Sequence, residues 1–192
     1  MAIKTFTTGE VLTAADTNTY LANSGLVYVT SAAFTTASSF SLPNDTFTST
    51  YSNYRMIVQI TGVTSDADFT LRLRASGTDN STAVYAYAMP GYTYAGSASN
   101  SFGESQSSFV VGESDSVIVR YFLIMDIIAP KLATNTYFTG SYNFLNKGST
   151  ATIARLGNMQ YAGTTSFDSL SFISSVASSI TGTYAVYGYR TA

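Results

Sequence analysis

An all-β fold is what the sequence predicts: an antiparallel β-sandwich, jelly-roll-like, over residues 26–192, preceded by a short helix within residues 1–25. Three observations predict it. Several stretches alternate apolar and polar residues with the two-residue period of a strand. Turn-forming residues separate them at the short spacing of sandwiches and barrels. The one clear helix signature lies ahead of the first alternating run.

That signature is Thr13-Ala14-Ala15-Asp16. Thr13 can cap the first helical turn, while Asp16 can reach back to the cap amide and sits at the positive helix end. Helical character runs through Tyr20 and Leu21 and stops at Asn23-Ser24-Gly25, where glycine can adopt the left-handed cap conformation. A helix of about ten residues is marginal by itself, so Val11, Leu12, Tyr20 and Leu21 need a surface to pack on. Residues 1–25 are therefore expected to be a docking element separable from the β body, with Thr13 and Asp16 fixing the helix start. The alternative is a terminal helix that packs on its own sandwich.

The strands follow. Phe69-Thr70-Leu71-Arg72-Leu73-Arg74-Ala75 alternates strictly, placing Phe69, Leu71, Leu73 and Ala75 on one face. Tyr54–Ile60 reads the same way, and the pair suggests an antiparallel hairpin across the loop 61–68. That register would set Arg55 opposite Arg74, an unfavourable pairing of like charges that calls for a nearby carboxylate, the first choice, or for an acidic partner against that face. Further strands are expected at Ala83–Met89, Tyr92–Gly96, Ser107–Val111, Val117–Ile128, Thr136–Leu145, Thr150–Leu156, Ser169–Ser174 and Gly182–Arg190. Pro90-Gly91, Gly112, Asn146-Lys147-Gly148, Gly157-Asn158 and Gly163 read as the turns between them. The similar pentads Gly103–Ser107 and Gly112–Ser116 read as two loops flanking one short strand.

Composition narrows the function classes. Only 10% of residues are charged, against about a quarter in ordinary domains. Polarity comes instead from Ser, Thr, Asn, Gln and Tyr, so the surface should respond little to salt or pH. Nine Lys and Arg in a chain of net charge −2 argue against nucleic acid, which needs clustered cations. The most apolar stretch, Val117–Ile128, is broken by Arg120 and Asp126 and falls far short of the ~20 residues of a spanning helix, so no membrane insertion is expected. The first residues also lack the apolar run of a secretion signal.

The chain has no cysteine and no histidine. This removes disulfides, thiolate metal sites, the usual general base and every Ser-His or Cys-His nucleophile. No nucleophile elbow or phosphate-cradling glycine loop is present. A carboxylate pair drawn from eleven Asp and Glu would be the remaining route to catalysis. The expectation is a protein that is not an enzyme, with no catalytic residues, no cofactor and no metal. Asp66 and Asp68 suggest calcium by ligand type, but two acids in a Ser/Asp-rich loop are more often turn residues.

Two groups of side chains could carry recognition. Tyr85, Tyr87, Tyr92 and Tyr94 straddle Met89-Pro90-Gly91, and a hairpin there would bring Tyr87 near Tyr94. Such an aromatic face could stack on a host-surface glycan; the plainer reading places these rings in the core or between subunits. In Val117–Ile128, Val117, Val119, Tyr121, Leu123, Met125 and Ile127 share one face, while Ile118, Phe122, Ile124 and Ile128 share the other. A sandwich strand needs only one apolar face, so the second predicts a covering loop, helix or, as the leading choice, another subunit.

The opening Phe6-Thr7-Thr8-Gly9-Glu10-Val11-Leu12-Thr13-Ala14-Ala15-Asp16-Thr17-Asn18-Thr19-Tyr20-Leu21 resembles the start of minor tail and tail-fibre-like virion proteins of tailed bacteriophages. There the pattern F-T-x-G-x-V-L-T-A-x-D-x-N-x-Y-L leads into a variable β-rich body. The ending Gly182–Arg190 is similar to the closing strand of such proteins. The resemblance covers about twenty residues at the start. It implies a virion protein assembled in the host cytoplasm, a tail-associated fibre or tip component involved in host adsorption, with other virion proteins as partners. Together with the closed symmetry usual in homo-oligomers, it makes a homotrimer the expected assembly. A capsid-attached fibre or decoration protein is the nearest alternative, and a stand-alone carbohydrate-binding module or a small hydrolase represents other classes.

Overall fold

The computed structural model describes residues 7–11, 13–16, 25–116, 121–148, 151–177 and 179–190. Among them the strands form two antiparallel sheets. The nine-stranded sheet runs β1 (Leu26–Ala37), β14 (Ile180–Tyr189), β3 (Asn53–Val63), β10 (Tyr121–Ile128), β11 (Thr136–Leu145), β12 (Thr152–Tyr161), β6 (Tyr85–Met89) and β8 (Ser101–Gln106). β7 (Gly91–Thr93) lies beside β12 beyond the end of β6. The five-stranded sheet runs β2 (Ser39–Ser41), β13 (Ser169–Ser174) and β4 (Ala67–Ala75), with β5 (Thr78–Asp79) and β9 (Phe109–Ser114) end to end along the far side of β4.

Period-two alternation explains the core. Tyr54, Met56, Val58 and Ile60 of β3 are buried, as are Tyr121, Leu123, Met125 and Ile127 of β10, and Phe69, Leu71 and Leu73 of β4. These inner faces meet between the sheets, where removing apolar surface from water supplies the main drive for folding. Aromatic rings fill the middle. Phe172 of β13 lies 5.2 Å from the Phe40 ring and 5.2 Å from the Phe69 ring, and Tyr121 is edge-on to Phe69 at 4.8 Å.

A buried tyrosine must also satisfy its hydroxyl. Tyr54 accepts from the Thr48 amide at 2.7 Å and donates to the Thr48 carbonyl at 3.0 Å. Tyr121 donates to the Val111 carbonyl at 3.0 Å. Tyr85 donates to the Asn80 carbonyl at 2.8 Å and accepts from the Leu73 amide. Much of the aromatic complement is thus a hydrogen-bonded core.

Several expectations are corrected. β3 and β4 do not form a hairpin: the chain crosses from one sheet to the other between them, so their predicted inner faces oppose each other across the core. Arg55 therefore never meets Arg74. Arg55 pairs with Asp126 at 2.8 Å, and Arg74 lies 3.1 Å from Asp79. Met89-Pro90-Gly91 is not a hairpin either. β6 and β7 follow one another along the same partner, β12, and the Leu156 amide donates to the Pro90 carbonyl between them.

The pentads read as loops lie largely in β8 and β9, and Gly157-Asn158, read as a turn, is in the middle of β12. Gly157 is glycine because the Tyr142 ring lies across it, where a Cβ would collide. The Asn146-Lys147-Gly148 turn does join β11 to β12, with Gly148 at φ 68°. β1, β2, β5 and β8 lie outside the expected strands. The expected N-terminal helix is represented among the described residues by a single turn, Ala14–Asp16; Leu12, Tyr20 and Leu21 lie outside those residues, as do Ile118 and the rest of 117–120.

Candidate functional site

The outer face of the nine-stranded sheet is where groups not used by the core collect. Cross-strand register arranges them in rows perpendicular to the strands. One row reads Ala185, Ile57, Ile124, Ser141 and Leu156 across β14, β3, β10, β11 and β12. The next reads Thr183, Gln59, Phe122, Asn143, Ala154 and Tyr92. On the other side come Tyr187, Arg55, Asp126, Thr139, Asn158, Ala88 and Phe102, and then Tyr189, Asn53, Ile128, Tyr137, Gln160 and Ala86. Phe122 and Ile128 are exposed and Ile124 is half-buried, so these three residues do share an outward face. Leu156, 65% exposed, extends the same apolar strip.

Apart from Glu104 on β8, charge among the described residues of these rows lies in one fastened cluster. Arg55 donates from Nε and from an Nη to the two Asp126 oxygens, each at 2.8 Å, the two-point geometry in which a guanidinium matches a carboxylate. The Tyr189 hydroxyl donates to Asp126 at 2.6 Å. The Arg55 hydrogen bonds hold the Asp126 carboxyl below the usual carboxylate range. Burial, followed by the bond to Asp126, pushes the Tyr189 hydroxyl up to about 12. Asp126, which sequence reading saw as an interruption of an apolar run, is thus the partner of Arg55.

The four tyrosines singled out in the sequence do not form one surface. Tyr85 is in the core, and Tyr87 is half-buried with its ring over Gly103. Tyr92 and Tyr94 are 63% and 73% exposed, and the Tyr94 hydroxyl donates to Asn143 at 3.1 Å. Sequence reasoning missed Phe102, Tyr137, Asn158 and Gln160, which stand together on the outer face beside two alanines of β6. Their isolated positions in three strands carry no joint signal; only the register assembles them.

No family model matches the chain, and it matches no curated protein and no solved structure.

Asp66 and Asp68 are engaged within the protein. Asp66 accepts from the Ser116 amide at 2.9 Å, and Asp68 pairs with Lys147 at 3.0 Å. Among the described residues no group of three or more His, Cys, Asp or Glu is arranged to hold a metal, and no helix is long and apolar enough to cross a membrane. In the described part of the N-terminal segment, Val11 is 78% exposed and Thr13 is exposed.

Proposed function

We propose that the chain is a structural protein of a tailed-phage particle, a tail-associated fibre or tip component involved in host adsorption. The observation that carries this reading is the phage-like opening segment, residues 6–21, which precedes a cysteine-free, histidine-free β body in the sequence. An apolar Val11 facing solvent favours a docking element over an intramolecular cap. In this reading Val11, Leu12, Thr13, Asp16, Tyr20 and Leu21 contact another virion protein, and residues 26–192 form the body.

We also assign the body to the jelly-roll class. The support is strand order: β1-β14-β3-β10 faces β2-β13-β4-β9, so consecutive elements of these eight change sheet at every step except β4 to β9, the order of two interlocked Greek keys. β5–β8 and β11–β12 are then insertions, most of which widen one sheet. Self-association as a trimer, through Ile118, Phe122, Ile124 and Ile128, is supported by the apolar strip on the outer face.

Labelling intact particles with an antibody against the full chain tests the reading. Label on tails supports it, label on heads favours the capsid-fibre alternative, and exclusion from purified particles overturns it in favour of a free carbohydrate-binding module. Light scattering that gives a monomer mass at micromolar concentration removes the trimer.

A further inference from the structure

We propose that a groove on the outer face of the nine-stranded sheet, at the β8 edge, binds a neutral sugar of a surface glycan. The proposal gives the adsorption reading its ligand chemistry and rests on that reading for its setting. The groove has a volume of about 700 Å³, within the ~300–1,000 Å³ of small-ligand clefts. Its origin is local: Ala86 and Ala88, the outward residues of β6, are too small to fill the space between their neighbours. On one side β8 raises Phe102, 68% exposed, and Glu104. On the other, β12 raises Asn158 and Gln160, with Tyr137 of β11 behind them.

The chemistry selects among occupants. A pyranose offers an apolar C–H face bordered by hydroxyls that both donate and accept. Phe102 and Tyr137 supply exposed rings for the apolar face. The carboxamides of Asn158 and Gln160, two residues apart on one strand, each carry a donor and an acceptor for hydroxyls, and Glu104 adds an acceptor. No Lys or Arg lines the groove, which disfavours phosphate, sulfate or carboxylate groups. A sugar set between Phe102 and Asn158 spans two strand separations, roughly 9–10 Å, which suits one ring with its substituents. The floor holds no polar side chain that would be left unsatisfied beneath the apolar face.

The test titrates the full chain, by nuclear magnetic resonance, with maltotetraose, cellotetraose, mannotetraose and lactose, and with sialyllactose as the charged probe. At least one neutral probe is expected to bind. Phe102→Ala, Asn158→Ala and Ala88→Leu should each weaken that probe at least about tenfold, whereas Tyr92→Ala on the neighbouring surface should not. All four positions are exposed, and a thermal melt identifies any variant that has lost its fold, leaving the others to decide. The proposal is overturned if no neutral probe binds at millimolar concentration. Survival of binding in the folded groove variants, or a preference for sialyllactose, overturns it equally. Sugar binding lost in the groove variants of a protein excluded from particles would sink the virion reading and leave the groove standing. A particle protein that binds none of the probes would do the reverse.

Discussion

The two sheets bury similar inner faces and turn different outer faces to the surroundings. The five-stranded sheet turns out Ser39, Ser41, Thr70 and Arg72, and Ser41 shares a hydrogen bond of 2.9 Å with the buried Ser171, which donates to Asp79 at 2.7 Å. The nine-stranded sheet presents Phe122, Ile128, Leu156, Tyr92 and Phe102. Both faces satisfy the folding requirement of one apolar side per strand. The apolar groups of the second outer face are therefore not required by folding.

That contrast breaks most sharply with paired substitutions. Phe172→Ala removes a ring stacked between the sheets and should destabilise the protein by about 3–5 kcal/mol. Phe122→Ser, on the outer face, should change chemical-denaturation stability by about 1 kcal/mol or less while weakening self-association in light scattering. Equal losses of stability from the two would show that the outer face belongs to the core. Gly157→Ala comes next. A methyl group there meets the buried Tyr142 ring, so a loss of about 1–3 kcal/mol is expected from overpacking; an unchanged melting temperature would mean the ring has room to yield.

Smaller effects probe the polar cluster. Asp126→Asn should cost about 1 kcal/mol at neutral pH, because the Arg55 pair is partly open to water. The native Asp126 carboxyl is held below its unfolded value. Its contribution is thus present above about pH 4 and is lost as pH falls through the depressed native value. Acid-unfolding curves of the two proteins should converge in that range; a constant gap down to the lowest pH would exclude a titrating pair. Smallest of all, Tyr94→Phe loses one exposed hydrogen bond to Asn143 and should shift stability by a few tenths of a kcal/mol.

Which residues face inward was legible from the sequence, and which strands are neighbours was not. In β3 and β4 the alternation names the buried side chains correctly because burial and period are one phenomenon. A hairpin and a crossing between facing sheets bury the same residues, however, so the pattern cannot choose between them. β1 escaped the expected strand list because two register shifts and a positive φ at Thr36 break its alternation. Gly103 and Gly157 looked like turn residues because the tyrosine rings that lie over them come from other strands. The Arg55 partner was foreseen as a carboxylate but not as Asp126, seventy-one positions away. The groove was invisible for the same reason as the strand order.

The register of β1 with β14 sets Leu26 opposite Tyr189, and the Arg190 amide donates to the Gly25 carbonyl at 3.3 Å. The chain therefore enters the β body at the β1–β14 margin of the wide sheet, while Phe102 and Glu104 stand on β8 at the opposite margin. Seven strand spacings separate the two margins, on the order of 30 Å along the sheet. If residues 1–25 dock as proposed, a body hung from this border holds its far border outward like the blade of a paddle. β11, β12, β6 and β8 account for the width of the sheet beyond β10.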